Sequence, residues 1–283
     1  MRNKKMSIYC LDGNFIAEEK ATISVHDLSL LRGYGVFDFL RSYNGHPFQL
    51  QAHIDRLARS AQLVGLSLPV SCEEIFRLTM ETIAHNNHQE YQIRLVITGG
   101  ESLGGFLPER GAARLIIMVS PLHPLPEQWY SNGVKVTTCR TSRFLPGAKT
   151  TNYIPAILAM QEATARGAVE SIYLDAGGFL QEGTTSNFFA FFGSTLVTPP
   201  SSRILPGITR EAVLDLAQGE FNIEIRPIHQ DEIRLMDEAV ITASNKEILP
   251  VCAINSEQIS QKVGLHSKKL MQLFKSFTRK YQG

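Results

Sequence analysis

The sequence predicts an α+β protein of two domains. Three observations carry this expectation. A chain of 283 residues exceeds the needs of one minimal core. Strand-like and helix-like patterns come in blocks instead of strict alternation. A proline-bearing stretch, "SPLHPLPEQWYSNG" from Ser120 to Gly133, separates two such blocks. The expected boundaries are 1–120 for a small N-terminal domain, 121–133 for a linker and 134–283 for a larger C-terminal domain.

The N-terminal elements follow from turn chemistry and periodicity. "SIYCLDGNFI" reads as a hairpin around Asp12-Gly13, and "GYGVFDFLRSYNGHPFQL" as a second around Asn44-Gly45. "QAHIDRLARSAQLVGL" spaces Ile54, Leu57, Ala58 and Ala61 as one helical stripe, with Arg56 and Arg59 off it. "CEEIFRLTMETIAHNN" is a further helix, and "YQIRLVITGG" and "ARLIIMVSP" are strands.

Past the linker, "VKVTTCRT" reads as a strand and "KTTNYIPAILAMQEA" as a helix that opens near Lys149 and ends near Gly167. "SIYLDAGGFLQEGTTSNFFAFFGSTLVTPP" is a strand meander turning at Gly177-Gly178 and Gly193-Ser194. "ITREAVLDLAQ" is a short helix. "RPIHQDEIRLMDEAVITASNKEILPV" is expected to give a helix, then a strand ending in a polar loop. The C-terminal "QKVGLHSKKLMQLFKSFTRKY" is a basic amphipathic helix expected to close the core.

Composition narrows the function. Lys plus Arg number 28 against 27 Asp plus Glu, so no one-signed field is available and a nucleic-acid partner is not expected. Cys10, Cys72, Cys139 and Cys252 lack CxxC spacing, which argues against a disulfide framework and a thiolate metal site. The N-terminus has no apolar signal region and no apolar run reaches membrane-spanning length. A reducing cytoplasm, with no membrane partner and no metal, is the expectation. "TGGESLGG" lacks GxGxxG order, the histidines lack HExxH spacing, and "TTSN" lacks a GxSxG context.

Four segments converge on one chemistry, the holding of an aldehyde cofactor with a phosphate tail. Lys149 stands after a Pro-Gly bend, where partial burial beside Asn152 and Tyr153 would favour its neutral, nucleophilic amine. Glu182 in "LQEGTTSNFF" could keep a pyridine nitrogen protonated, the requirement of an electron-sink ring. Gly207, Ile208 and Thr209 open a helix whose free N–H groups would cradle a phosphate. Arg56 offers a guanidinium fork to the same oxygens, and Ser244 a hydroxyl. Taken singly, each has a plain reading: a solvated lysine, a strand-end glutamate, a helix cap, an exposed helix arginine.

Together, "GYGVFDFLR", "HIDRLARSA", "KTTNY…AILAMQEA", "QEGTTSNFF", "LPGITRE" and "DEAVITASNKEILPV" resemble, in order and nearly end to end, the class IV pyridoxal-phosphate enzymes. These include branched-chain aminotransferases, D-amino-acid aminotransferases and aminodeoxychorismate lyases. The resemblance implies fold type IV: a small N-terminal α/β sandwich and a larger, mixed β-barrel-like C-terminal domain with helices. It implies pyridoxal 5'-phosphate as cofactor, with Lys149 as the Schiff-base lysine, Glu182 as the ring-nitrogen partner and Arg56 as the phosphate arginine. Leu205 matches the leucine packed on the ring. Gly207, Ile208 and Thr209 match the phosphate turn, and Ser244 the second phosphate loop. For the substrate pocket it implies Phe37, Arg94 and Tyr153. Tyr153 lies four residues after the lysine, where the branched-chain group has five, and Gln92 replaces that group's tyrosine.

The implied activity is amino-group transfer from a small amino acid to a 2-oxo acid. The alternatives are 4-amino-4-deoxychorismate lyase and a catalytically silent cofactor binder. "TGGESLGGF" lacks both the Arg-x-His pair that clamps the substrate in D-amino-acid enzymes and the arginine of the lyases. The family implies a homodimer whose active site lies near the subunit interface.

Overall fold

Two tight turns start the architecture where the sequence places them. Asp12 and Gly13 take φ of 50° and 83°, Asn44 and Gly45 take 52° and 76°, the left-handed pair a two-residue hairpin turn requires. The structure is a computed structural model. It describes residues 6–102, 104 and 106–283. Its contacts divide the chain into two units. The first comprises Met1–His123, Ala148–Asn152 and Tyr281–Gly283, and the second Pro124–Gly147 and Tyr153–Lys280.

The first unit contains β1 (Ile8–Leu11), β2 (Asn14–Ala17), β3 (Gly35–Tyr43), β4 (His46–Pro47), β5 (Tyr91–Thr98) and β6 (Arg114–Pro121). Its helices are α1 (Leu28–Arg32), α2 (Leu50–Leu63) and α3 (Cys72–His85). The strands form one antiparallel sheet in the order β2-β1-β6-β5-β3-β4. α2 and α3 pack on it and bury Ile54, Leu57, Ala61, Ile75 and Leu78 against Leu40, Ile93 and Ile117. Ser71 caps α3 by accepting from the Glu74 N–H at 3.2 Å, with Glu73 and Glu74 in the first turn where the dipole favours acids. Arg56, off the apolar stripe of α2, is nonetheless buried, because the sheet beneath supplies its counter-charge.

The second unit contains α4 (Glu127–Asn132), β7 (Val134–Arg140), α5 (Ile154–Ala165), β8 (Glu170–Leu174), β9 (Phe179–Gly183), β10 (Asn187–Phe192), β11 (Thr195–Thr198) and α6 (Ile208–Ala217). It continues with β12 (Asn222–Ile225), β13 (Ile228–His229), β14 (Glu238–Ala243), β15 (Glu247–Ile254), β16 (Glu257–Gln258) and α7 (Leu265–Arg279). Its mixed sheet runs β12-β11-β10-β14-β15-β7-β8-β9-β13, with β16 on β15. β7 and β8 are parallel and joined through α5. β10 is buried along most of its length, Phe188, Phe189 and Phe191 being fully covered. α7 buries Leu270 and Phe274 as its amphipathic pattern requires.

Three local expectations are revised. Lys149 is not on a helix: α5 begins at Ile154, with Pro155 in its first turn. The segment from Ala148 to Asn152 runs beside β3. Thr150 bridges Val36, and the Phe37 N–H donates to the Lys149 carbonyl at 2.9 Å. The helix expected in "HQDEIRL" is a short 3-10 turn, Gln230–Leu235, whose N-terminus is held by His229 and Glu232. The stretch 121–133 includes the short helix α4, because "EQWYSN" between Pro126 and Gly133 is bounded by a starter and a stopper.

Candidate active site

In the first unit the segment beside β3 sets Lys149. Its N–H donates to Ser60 Oγ on α2 at 3.1 Å, and the Thr151 N–H to the Gly35 carbonyl at 2.9 Å. Backbone hydrogen bonds to two elements therefore fix the lysine without using its amine. Nζ stands 4.8 Å from the centre of the Phe37 ring. Lys149 is half-buried.

Arg56 is 4% exposed, and its guanidinium takes both oxygens of Asp38. Nε donates to Oδ2 and Nη2 to Oδ1, both at 2.8 Å. His53 Nδ1 meets Asp38 Oδ1 at 2.6 Å. Burial alone would raise the Asp38 carboxyl; Arg56, then His53, hold it well below the ordinary carboxylate range. For His53 burial dominates, and with Arg56 and Lys149 it lowers the imidazole despite Asp38. His53 is thus neutral, and its Nε2 is a buried atom with no hydrogen-bond partner among the described residues. Arg94 lies on the exposed side of β5, its guanidinium 5.6 Å from the Phe37 ring and 5.8 Å from that of Phe39.

In the second unit Glu182 ends β9 at 3% exposure. Its Oε1 accepts from the Leu205 N–H at 3.1 Å and pairs with Arg143 Nε at 3.1 Å. Asn187 Nδ2 reaches Glu182 Oε2 at 3.4 Å and the Leu205 carbonyl at 2.9 Å. A Cβ at Gly207 would lie 1.9 Å from Asn187 Oδ1, so only glycine lets the chain pass the amide. Glu182, Leu205 and Gly207 are therefore brought together through Asn187. Tyr153, half-buried at the start of α5, has its phenol pushed up by burial, partly offset by Arg143 beside it.

Ile208 and Thr209 start α6 and are buried, and no side chain among the described residues caps that end. The contrast with α7 is direct: there Glu238 accepts from the His266 and Ser267 N–H groups at 3.0 and 2.7 Å. A buried helix start with free N–H groups is chemistry that suits a phosphate. Ser244 lies in the turn between β14 and β15, two residues before buried Lys246. Lys246 Nζ is 3.3 Å from Glu170 Oε2 and 2.6 Å from Thr185 Oγ1. Glu170, fully buried on β8, accepts from the hydroxyls of Thr184, Thr185 and Ser186 and so shapes the loop after Glu182.

Sequence reasoning missed Asp38's partnership with Arg56, as well as His53, Arg143, Glu170, Asn187 and Lys246. One signal was available for Asp38. Val36, Asp38 and Leu40 share one face of β3, and a charge on an inward face must be paired. Chemically, the first unit carries a positioned amine and a paired guanidinium, and the second a buried carboxylate and a helix start whose N–H groups suit an anion.

The family model described as amino-transferase class IV matches residues 35–254. A Methanocaldococcus jannaschii protein, whose name as a branched-chain-amino-acid aminotransferase is itself provisional, is 37% identical over 98% of each chain. The Pseudomonas aeruginosa branched-chain-amino-acid aminotransferase is 32% identical over 88% of this chain and 85% of its own. Among solved structures, the Escherichia coli branched-chain amino acid aminotransferase has a TM-score of 0.91 at 27% identity. The likeness covers 97% of this chain and 95% of that one.

Proposed function

Because the chain belongs to the class IV aminotransferases, we propose that it moves the amino group of a branched-chain L-amino acid to a 2-oxo acid. Amino-group transfer is the activity for which the matched family is named. The substrate class is the reading supported best by its relatives, several of which carry the branched-chain name over nearly their full length. That observation carries the proposal. The absence of an Arg-x-His pair from "TGGESLGGF" supports it against D-amino acids.

The family is pyridoxal-phosphate dependent, and the residues present fit that group. Arg56 and the start of α6, at Gly207, Ile208 and Thr209, would hold the phosphate, with Ser244 adding a hydroxyl. Leu205 would lie against the ring, and Glu182 would face its nitrogen. When bound, the cofactor supplies the electron sink that makes the α-proton of an amino acid removable. Lys149 Nζ would hold the cofactor covalently and, once its amine is released, would carry the α-proton. Phe37, Arg94 and Tyr153 would border the substrate.

A homodimer belongs to the same reading. α5 presents Ile154, Ile157 and Leu158 at 53% exposure or more, within a first half, residues 154–160, that is apolar throughout, as in a covered helix. Cytoplasmic location fits the free state of Cys10, Cys72, Cys139 and Cys252. No helix among the described residues is long and apolar enough to cross a membrane.

The test is a scan of amino donors with the cofactor-loaded chain, read by donor-dependent formation of the aminated cofactor. L-Leucine, L-isoleucine and L-valine should react at least tenfold faster than D-alanine. Preference for D-alanine, or pyruvate release from aminodeoxychorismate without amine transfer, would reject the substrate assignment.

A further inference from the structure

Glu182 poses an electrostatic problem. A carboxylate at 3% exposure loses most of its hydration, and burial by itself drives such a group to take up a proton. A ring-nitrogen partner has to do the opposite. Ionised, it accepts a hydrogen bond from a protonated ring nitrogen. Protonated, it would donate to a neutral nitrogen, and the ring would withdraw electrons less strongly.

The structure sets a cation against this carboxylate. Arg143 lies in the chain between β7 and Lys149, and its Nε is 3.1 Å from Glu182 Oε1. The same guanidinium donates from Nη2 to the Thr184 carbonyl at 3.3 Å, so it is anchored both to β9 and to the segment that follows it. Its side chain is only 16% exposed. Burial disfavours its charge, yet the Glu182 carboxylate above all outweighs that and raises the guanidinium above its ordinary value. Burial pushes Tyr173 up to about 12, so this phenol is neutral at working pH. Arg143 and Glu182 line a cavity of about 420 Å³ with Tyr173 and with a second ion pair, Arg203 to Asp175 at 2.8 Å. The second pair is neutral as a unit. Glu170, the other nearby carboxylate, is matched by Lys246. Arg143 is thus the cation assigned to Glu182 by geometry.

We infer that Arg143 is a positioning residue for the amine-transfer chemistry: it keeps buried Glu182 ionised, so that the acid meets the cofactor's ring nitrogen as an acceptor. The inference rests on the reading of Glu182 as the ring-nitrogen partner, and two separate measurements keep the two claims apart. Removing Arg143 takes a positive charge from a buried carboxylate that keeps the neutral donors of Leu205 and Asn187 among its partners. Such a group neutralises itself by taking up a proton.

The test is the protonation state of Glu182 in the full chain before cofactor loading. Carboxyl-labelled glutamate is followed by carbon NMR and by the infrared band of a protonated acid, assigned by its loss in Glu182→Gln. Wild-type Glu182 should remain ionised at pH 6. In Arg143→Met its titration should move up by about one pH unit or more, and Arg143→Lys should restore most of the wild-type value. A role confined to holding the loop would change thermal stability without this shift. An unshifted titration in Arg143→Met overturns the inference, as does a wild-type Glu182 protonated at neutrality, a measurement that needs no variant. The reading beneath it is tested by affinity for pyridoxamine phosphate against the analogue with carbon in place of the ring nitrogen. A wild-type preference of tenfold or more supports Glu182 as the partner, and equal affinity rejects it whatever Arg143 does.

Discussion

Arg56 closes a two-point fork on Asp38, each contact 2.8 Å, with both side chains buried. Arg56, proposed above to hold the phosphate, is therefore aimed by a carboxylate on the neighbouring strand. Breaking a buried pair of this kind by removing one charge costs about 3–5 kcal/mol, because the other charge stays buried and uncompensated. Asp38→Asn should lose stability on that scale and weaken pyridoxal-phosphate binding about tenfold, worth about 1.4 kcal/mol. Denaturant melts of the cofactor-free chain and a cofactor titration separate the two effects.

The same pair predicts a pH dependence. The folded-state value of Asp38 is lowered, so its stabilising contribution is complete above the unfolded carboxylate value of about 3.9. It is lost progressively as pH falls below that value, towards the lowered folded one. Stability measured from pH 6 downwards should fall more steeply in wild type than in Asp38→Asn. Parallel curves would show that Asp38 is not held ionised by Arg56 and His53.

Gly207 tests the second unit. An alanine there would place Cβ 1.9 Å from Asn187 Oδ1, so the amide that links Glu182 to Leu205 must move. Overpacking of this sort costs about 1–3 kcal/mol. Gly207→Ala should show that loss together with weaker cofactor binding. Unchanged affinity would mean that Asn187 does not position the site.

Glu170 and Lys246 form a latch between the loop after Glu182 and the turn that holds Ser244. Glu170 accepts from several hydroxyl and N–H donors besides Lys246, and their joint effect keeps it below its ordinary value against the opposing effect of burial. Glu170→Ala strands those donors and should destabilise by about 3–5 kcal/mol. Lys246→Met leaves the hydroxyls in place and should cost less in thermal unfolding than Glu170→Ala. Equal losses would assign the stabilisation to the ion pair alone.

What was legible in one dimension was periodicity and turn chemistry. The Asp12-Gly13 and Asn44-Gly45 hairpins, the α2 and α3 stripes and the six family blocks all rest on neighbours within a few residues. What was not legible was pairing across the sheet. Arg56 lies off the apolar stripe and reads as a solvated charge until Asp38, far from it in sequence, is seen beneath it. Lys149 reads as a helix start because Pro155 and the apolar run follow it. Its backbone hydrogen bonds go to Ser60 and to the start of β3, distant partners that local pattern does not encode. Arg143, Glu170 and Lys246 were invisible for the same reason: each is a half-buried or buried charge whose partner comes from another element.

The account stands on Lys149 as the amine that carries the transfer. The direct measurement is glutamate formed from L-leucine and 2-oxoglutarate by the pyridoxal-phosphate-loaded chain, wild type against Lys149→Ala. The account predicts steady glutamate formation by the wild type and a loss of at least a thousandfold in the variant, with both proteins folded. Turnover that survives the substitution, or a wild type that forms no glutamate from any branched-chain donor, would contradict it.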